Sequence, residues 1–251
     1  AMASFPNYDP ANFNDFPKEY FRNPTVGDLY EPGSTFKVLI MAAGINENVV
    51  KKDTKCDICA GPVKASDYLI RTWDNKYYPD TNMTDVIVHS DNTGMVFIGR
   101  KLGIDKFYKY LIDFGFGSLT GVDLQDEITP DIRAKNEWRD IDLATASFGQ
   151  GIAVTPLQIV RAVSTLANGG YLMEPHVVKS INDGNKILEI KPKIISQVLS
   201  SEATKVVTEM MVKAVETGES KAFIIKGYQI AGKTGTAQIP LAGHYDPTKT
   251  I

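Results

Sequence analysis

Ser34 and Lys37 stand three positions apart in Ser34-Thr35-Phe36-Lys37 and open a run of apolar residues. On a helix that spacing puts both side chains on one face, about one turn apart. A serine hydroxyl is a poor nucleophile until a base takes its proton. A lysine made neutral by burial or by a nearby cation can be that base. The Ser34 N–H, at the helix start, has no intrahelical partner and can stabilise an oxyanion. A second polar cluster, Ser90-Asp91-Asn92, offers another hydroxyl and a carboxamide from a turn between two helix-like segments. A third, Lys233-Thr234-Gly235-Thr236, sits in an apolar, strand-like stretch. There a lysine and two hydroxyls can bind a carboxylate, and a strand edge can pair with an extended peptide. Gly235 leaves room for a ligand or a second backbone. Singly, each cluster also fits an ordinary helix start, a cap and turn, or a solvated strand end. Together, in this order, they have a chance probability on the order of one in several hundred from average composition.

The elements that must hold these groups follow from periodicity and breakers. Residues 34–46 form a nearly all-apolar helix, which belongs in a large core. Residues 5–33 read mostly as loop and 47–82 as irregular, broken at Gly61-Pro62 and Pro79. Helices are expected over 84–89, 93–102 and 105–114. Thr155-Pro156 marks another helix start, with Thr as N-cap and Pro at N1, and Leu157, Val160, Val163 and Leu166 are read as lying on one face, with a stop at Gly169-Gly170. Residues 176–181 and 186–190 alternate around Asp183-Gly184 as a hairpin. Residues 201–216 form a capped helix, and 228–239 a strand. Helices cluster instead of alternating with strands, so the fold class is α+β.

Composition narrows the function classes. The 251 residues are 43% hydrophobic and 23% charged, which is globular and excludes a disordered tail, a collagen-like fibre or a coiled coil. The net charge of -3 lacks the basic surplus of a nucleic-acid binder. No apolar run is long enough to span a bilayer, and 1–4 carry no signal-peptide pattern. Cys56 and Cys59 form a C-x-x-C. A local disulfide or two structural thiols are favoured over a redox pair or half a zinc site, because the three histidines show no metal spacing.

The three clusters in this order are those of serine β-lactamases and penicillin-binding proteins. The chain resembles the transpeptidase domain of class B penicillin-binding proteins, the monofunctional peptidoglycan D,D-transpeptidases. The resemblance runs through Ser4-Phe5-Pro6-Asn7-Tyr8-Asp9-Pro10, Leu29 to Lys37 (LYEPGSTFK), Phe148-Gly149-Gln150-Gly151, Thr155-Pro156-Leu157-Gln158, Asn168-Gly169-Gly170 and Lys233 to Gln238 (KTGTAQ). It implies a helical cluster packed on an antiparallel sheet. It implies Ser34 as acylated nucleophile, Lys37 as general base and Ser90 as proton relay to the leaving D-alanine. Asn92 would hold the substrate amide. Lys233 would keep the site positive, and Thr234 and Thr236 would bind the terminal carboxylate beside Gly235. The backbone N–H groups of Ser34 and Thr236 would form the oxyanion hole. Asp91 would brace its loop. No metal or organic cofactor is required. Implied partners are D-Ala-D-Ala stem peptides, β-lactams and a cell-wall glycosyltransferase, at the extracytoplasmic face of a bacterial membrane.

The ends depart from the family. Residues 1–4 look like the end of a second strand, and strands and a helix are expected beyond Lys-Thr-Gly. The expectation is therefore one transpeptidase domain, residues 1–251, lacking some sheet strands, the anchor and the pedestal domain. Such a fragment is expected to be poorly soluble or molten alone. Alternative readings are a class D-like β-lactamase or a β-lactam sensor. No Glu-x-x-Leu-Asn segment marks a class A β-lactamase.

Overall fold

The structure is a computed structural model that describes residues 2–218, 221–222, 224–236, 238–241 and 244–250. Two 3-10 turns (Pro10–Asp15, Lys18–Phe21) and the short α1 (Pro24–Gly27) lead to a third turn, Gly33–Thr35, and then to α2 (Lys37–Asn46). Every residue of α2 from Lys37 to Gly44 is buried, as its all-round apolar sequence requires. A hairpin follows, β1 (Val63–Ala65) and β2 (Tyr68–Ile70). Then come α3 (Met83–Val88) and α4 (Asn92–Asp113), which bends at Gly103, φ 72°. The bend falls at the boundary expected between two helices. After α5 (Asp140–Ala146) and α6 (Pro156–Ala167), β3 (Tyr171–Glu174) pairs with β6 (Lys193–Gln197). Between them β4 (Ser180–Asn182) and β5 (Ile187–Glu189) form the expected hairpin. The last elements are α7 (Ser201–Thr217), β7 (Gln238–Leu241) and β8 (His244–Thr250). Among the described residues the strands form four antiparallel two-stranded ladders.

The core lies between helices. α2 packs against α4 and α7, α3 against α7, and α4 against α5. Phe36, Leu39, Ile40, Met41, Met95 and Ile98 are fully buried at its centre, each contributing about 1.5–3 kcal/mol of hydrophobic stabilisation. A hydrogen-bonded knot closes the far end of α2. Asn46 Nδ2 donates to the Tyr110 hydroxyl (2.6 Å), which donates to Glu47 Oε1 (2.9 Å), while the Ser200 N–H donates to Asn46 Oδ1 (2.9 Å). Lys106 pairs with the other Glu47 oxygen at 2.7 Å. Cys56 and Cys59 form a buried disulfide. No helix among the described residues is long and apolar enough to cross a membrane.

Four expectations change. Residues 47–82 include the β1–β2 hairpin, which turns through Ser66 at φ 51°. The buried face of α6 is Leu157, Gln158, Ile159, Arg161, Ala162, Thr165 and Leu166, and Val160 is 62% exposed. Leu157 and Leu166 are buried at the two edges of that face, while a spacing of three on a helix of 3.6 residues per turn carries Val160 off it. The strand placed over 228–239 is absent from 228–236, which pair with no strand among the described residues, and Ala237 lies outside the described residues. The strand begins only at Gln238, where β8 supplies a partner. Residues 2–4 pair with no strand among the described residues.

Candidate active site

The turn Gly33–Thr35 carries Ser34 at the mouth of α2. It is set from below by the segment 148–154. Tyr30 and Val154 exchange both backbone hydrogen bonds, the Gly33 N–H donates to the Gly149 carbonyl (2.9 Å), and the Gly151 N–H donates to Glu31 Oε1 (3.0 Å). Gly149 is at φ 82°, and a Cβ there would come within 2.1 Å of the Gly33 carbonyl oxygen, so no larger residue fits. Thr35 Oγ1 donates to the Pro32 carbonyl at 2.7 Å, which closes the turn. The Phe36 ring packs on Phe116 behind it.

Ser90 reaches the same place from the α3–α4 junction. A capping box, Asn82 with Asp85, starts α3. The helix ends when the Asp91 N–H donates to the Val86 carbonyl (2.9 Å) and the Ser90 N–H to the Ile87 carbonyl (3.3 Å). This is a Schellman ending, whose left-handed position is usually glycine. Here it is Ser90, at φ 53°. The next residue, Asp91, is the N-cap of α4. Its Oδ1 accepts from the Thr93 N–H and hydroxyl (both 2.7 Å) and from the Gly94 N–H (3.2 Å). The junction therefore points Ser90 and Asn92 toward α2.

Lys37 joins them. It is fully buried, and its Nζ donates to the Ser90 carbonyl (2.6 Å), Ser90 Oγ (3.1 Å) and Asn92 Oδ1 (2.7 Å). Ser90 Oγ is 3.1 Å from Ser34 Oγ. Ser34, Lys37, Ser90 and Asn92 are thus brought into one hydrogen-bonded set from positions up to 58 apart (92 − 34). Asn92 Nδ2 donates to the Arg71 carbonyl at 2.8 Å, a contact that residue types alone do not foretell. A backbone carbonyl in a loop carries no residue-type signal.

The third cluster closes one side. A Cβ on Gly235 would lie 2.6 Å from Thr35 Cγ2 and 3.8 Å from the Pro32 carbonyl oxygen, so the segment runs directly against the Ser34 turn. Lys233 Nζ donates to the Thr234 carbonyl (3.0 Å) and to Thr234 Oγ1 (3.2 Å). Thr236 follows, exposed. Among the described residues no group of three or more His, Cys, Asp or Glu is placed to hold a metal ion. Two hydroxyls and a buried amine in a chain, beside a helix start, can carry acyl transfer with proton exchange.

Comparison with known proteins agrees with that chemistry. Residues 1–249 match the family model described as the penicillin binding protein transpeptidase domain. The chain is 37% identical over 250 residues to stage V sporulation protein D of Bacillus subtilis, covering 97% of this chain and 38% of that protein. It is 32% identical over 244 residues to peptidoglycan D,D-transpeptidase FtsI of Escherichia coli K12, covering 95% and 38%. A solved D,D-transpeptidase domain of a peptidoglycan glycosyltransferase from Eggerthella lenta superposes with a TM-score of 0.85 at 26% identity, covering 95% of this chain and 63% of that one. The chain spans well under half the length of these curated relatives.

Proposed function

The chain belongs to the penicillin-binding protein transpeptidase domain family, and from that premise we propose that residues 1–251 act as the transpeptidase domain of a peptidoglycan D,D-transpeptidase. One observation supports the serine mechanism: the run Ser34 Oγ, Ser90 Oγ, Lys37 Nζ, with both steps at 3.1 Å, Ser90 and Lys37 buried and Ser34 half-buried. With Lys37 neutral, its two N–H groups keep the Ser90 carbonyl and Asn92 Oδ1 and its lone pair faces Ser90 Oγ. As Ser34 Oγ attacks the carbonyl carbon of the penultimate D-alanine of a stem peptide, its proton therefore passes through Ser90 Oγ to Lys37. Ser90 relays a proton to the amide nitrogen as the C–N bond breaks, and D-alanine leaves. An amine of a neighbouring stem attacks the resulting ester. A new amide forms, and the Ser34 oxygen regains a proton.

The other groups orient and stabilise. The N–H groups of Ser34 and Thr236 receive the developing oxyanion. Asn92 holds the substrate amide. Lys233 keeps the site positive and helps Lys37 remain neutral, Thr234 and Thr236 bind the terminal carboxylate, and Gly235 lets the peptide come close. The step needs no cofactor. A β-lactam acylates Ser34 and stays, because its leaving group remains tethered. The natural substrates are D-Ala-D-Ala stem peptides, and the partner is a glycosyltransferase that supplies the glycan. The site of action is the extracytoplasmic cell envelope, where the Cys56–Cys59 disulfide is at home.

Labelling with a fluorescent penicillin tests the reading. The protein takes up label and Ser34→Ala does not. Label that survives the substitution, or rapid hydrolysis of nitrocefin, overturns it.

A further inference from the structure

Asn92 is held at both ends of its amide. Its oxygen accepts from Lys37, and its nitrogen donates to the Arg71 carbonyl. An amide nitrogen carries two hydrogens. Arg71 takes one, which leaves the other for the substrate. The orientation of the Arg71–Thr72 peptide plane therefore fixes which way the free N–H of Asn92 points.

That plane is itself anchored. Arg71 is exposed, but Thr72 is only 6% exposed. Its Oγ1 donates to the Lys76 carbonyl at 2.9 Å, and the Asn75 N–H donates to the Thr72 carbonyl at 3.3 Å. The Lys76 N–H donates to Asp74 Oδ1 at 3.1 Å, and Asn75 adopts φ 56°. The loop 72–76 is thus a closed turn whose one buried hydroxyl belongs to the residue bonded to the Arg71 carbonyl. On the far side, Tyr78 stacks on His89 at 4.2 Å, next to Ser90.

We propose that Thr72 is a positioning residue for the acyl-transfer site: by locking the 72–76 turn it aims the Arg71 carbonyl at Asn92 and so sets the substrate-facing N–H. This rests on the function given above for Asn92. It adds a residue outside the three clusters, acting on substrate orientation through a backbone group.

The test is a double-mutant cycle in the full chain, read as the acylation rate constant with a fluorescent penicillin. Thr72→Val keeps the shape and removes the donor. It is expected to slow acylation about tenfold, the scale of one lost hydrogen bond, with a thermal midpoint near wild type. Thr72→Ser, which restores the hydroxyl, recovers most of the rate. In an Asn92→Ala background, Thr72→Val has no further effect, because its route to the substrate is already cut. Equal losses in both backgrounds, or no loss in either, overturn the proposal. Should Thr72→Val fail to fold, Thr72→Ala removes the same hydroxyl donor with a smaller side chain and is read in the same cycle. A wild-type protein that takes no label refutes the function itself. A labelled wild type with an unaffected Thr72→Val refutes the positioning role alone.

Discussion

Ser90 occupies a position that local backbone physics would assign to glycine. A non-glycine residue in the left-handed region costs about 1–2 kcal/mol, and Ser90 bears that cost at φ 53° while its hydroxyl stands between Ser34 and Lys37. Strain retained where a side chain is needed is a mark of function. The comparison of two substitutions isolates it. Both Ser90→Gly and Ser90→Ala remove the hydroxyl and are expected to slow penicillin acylation about 10²-fold. Only Ser90→Gly relieves the backbone, so its urea midpoint should exceed that of Ser90→Ala by an amount worth about 1 kcal/mol. Equal midpoints would remove the argument from strain, and unchanged acylation in both would remove the relay. At this scale the sequence was informative where residue type carries the chemistry. Ser34, Lys37, Ser90 and Asn92 converge as their types and order suggested. The Arg71 carbonyl was invisible, since every residue has one. The hydrogen bond that closes the Ser34 turn from Thr35 was also unread, because a threonine hydroxyl at a helix start can equally face solvent or cap a backbone N–H.

Elements were legible at their ends and less so on their faces. Thr155-Pro156 announced α6, and the structure has the full capping box. The Gln158 N–H donates to Thr155 Oγ1 at 3.2 Å, and Gln158 Oε1 accepts from the Thr155 N–H at 3.0 Å. Gln158 Nε2 goes on to donate to the Ser118 carbonyl and to Thr129 Oγ1. Thr155→Ala therefore removes a buried cap and should cost about 0.5–2 kcal/mol. It would be read as a lower urea midpoint with an unchanged slope, and Thr155→Ser should restore most of it. An Ala variant as stable as the parent would show that water replaces the cap. The buried side of α6 escaped sequence reading because polar Gln158 and Arg161 lie on it. Arg161 Nε donates to the Met173 carbonyl at 2.8 Å, tying the helix to β3. The β1–β2 hairpin escaped because its strands are three residues each and its turn lacks the Asn-Gly signature. Residues 228–236 have strand-like composition but no strand partner among the described residues, and a strand is a property of the pair.

Across the whole molecule, charge decides the pH range in which the parts stay together. Backbone N–H donors from Val177 and Val178 hold the Asp123 carboxyl below its ordinary value of 3.8. Lys106, then the Tyr110 hydroxyl, hold Glu47 below 4.5. Carboxyls depressed in the folded state stabilise it above their unfolded values, and that contribution is lost as pH falls through the folded ones. Tyr110 runs the other way. Burial first, with Glu47 assisting, pushes its hydroxyl up to about 12, so its contribution is complete below pH 10 and lost as pH rises through about 12. The urea midpoint should therefore decline on acidification below roughly pH 4.5 and again at strongly alkaline pH. Asp123→Asn should flatten part of the acid limb, and Tyr110→Phe part of the alkaline one. Limbs unchanged by either would assign them to other groups. The packing of Gly235 on Thr35 has a consequence in time. It joins positions 200 apart (235 − 35), against 56 for Ser90 and Ser34 (90 − 34). Closing the longer loop costs about 1 kcal/mol more chain entropy. On chain entropy alone the hydrogen-bonded set of Ser34, Lys37 and Ser90 can therefore assemble before the Gly235 wall is in place.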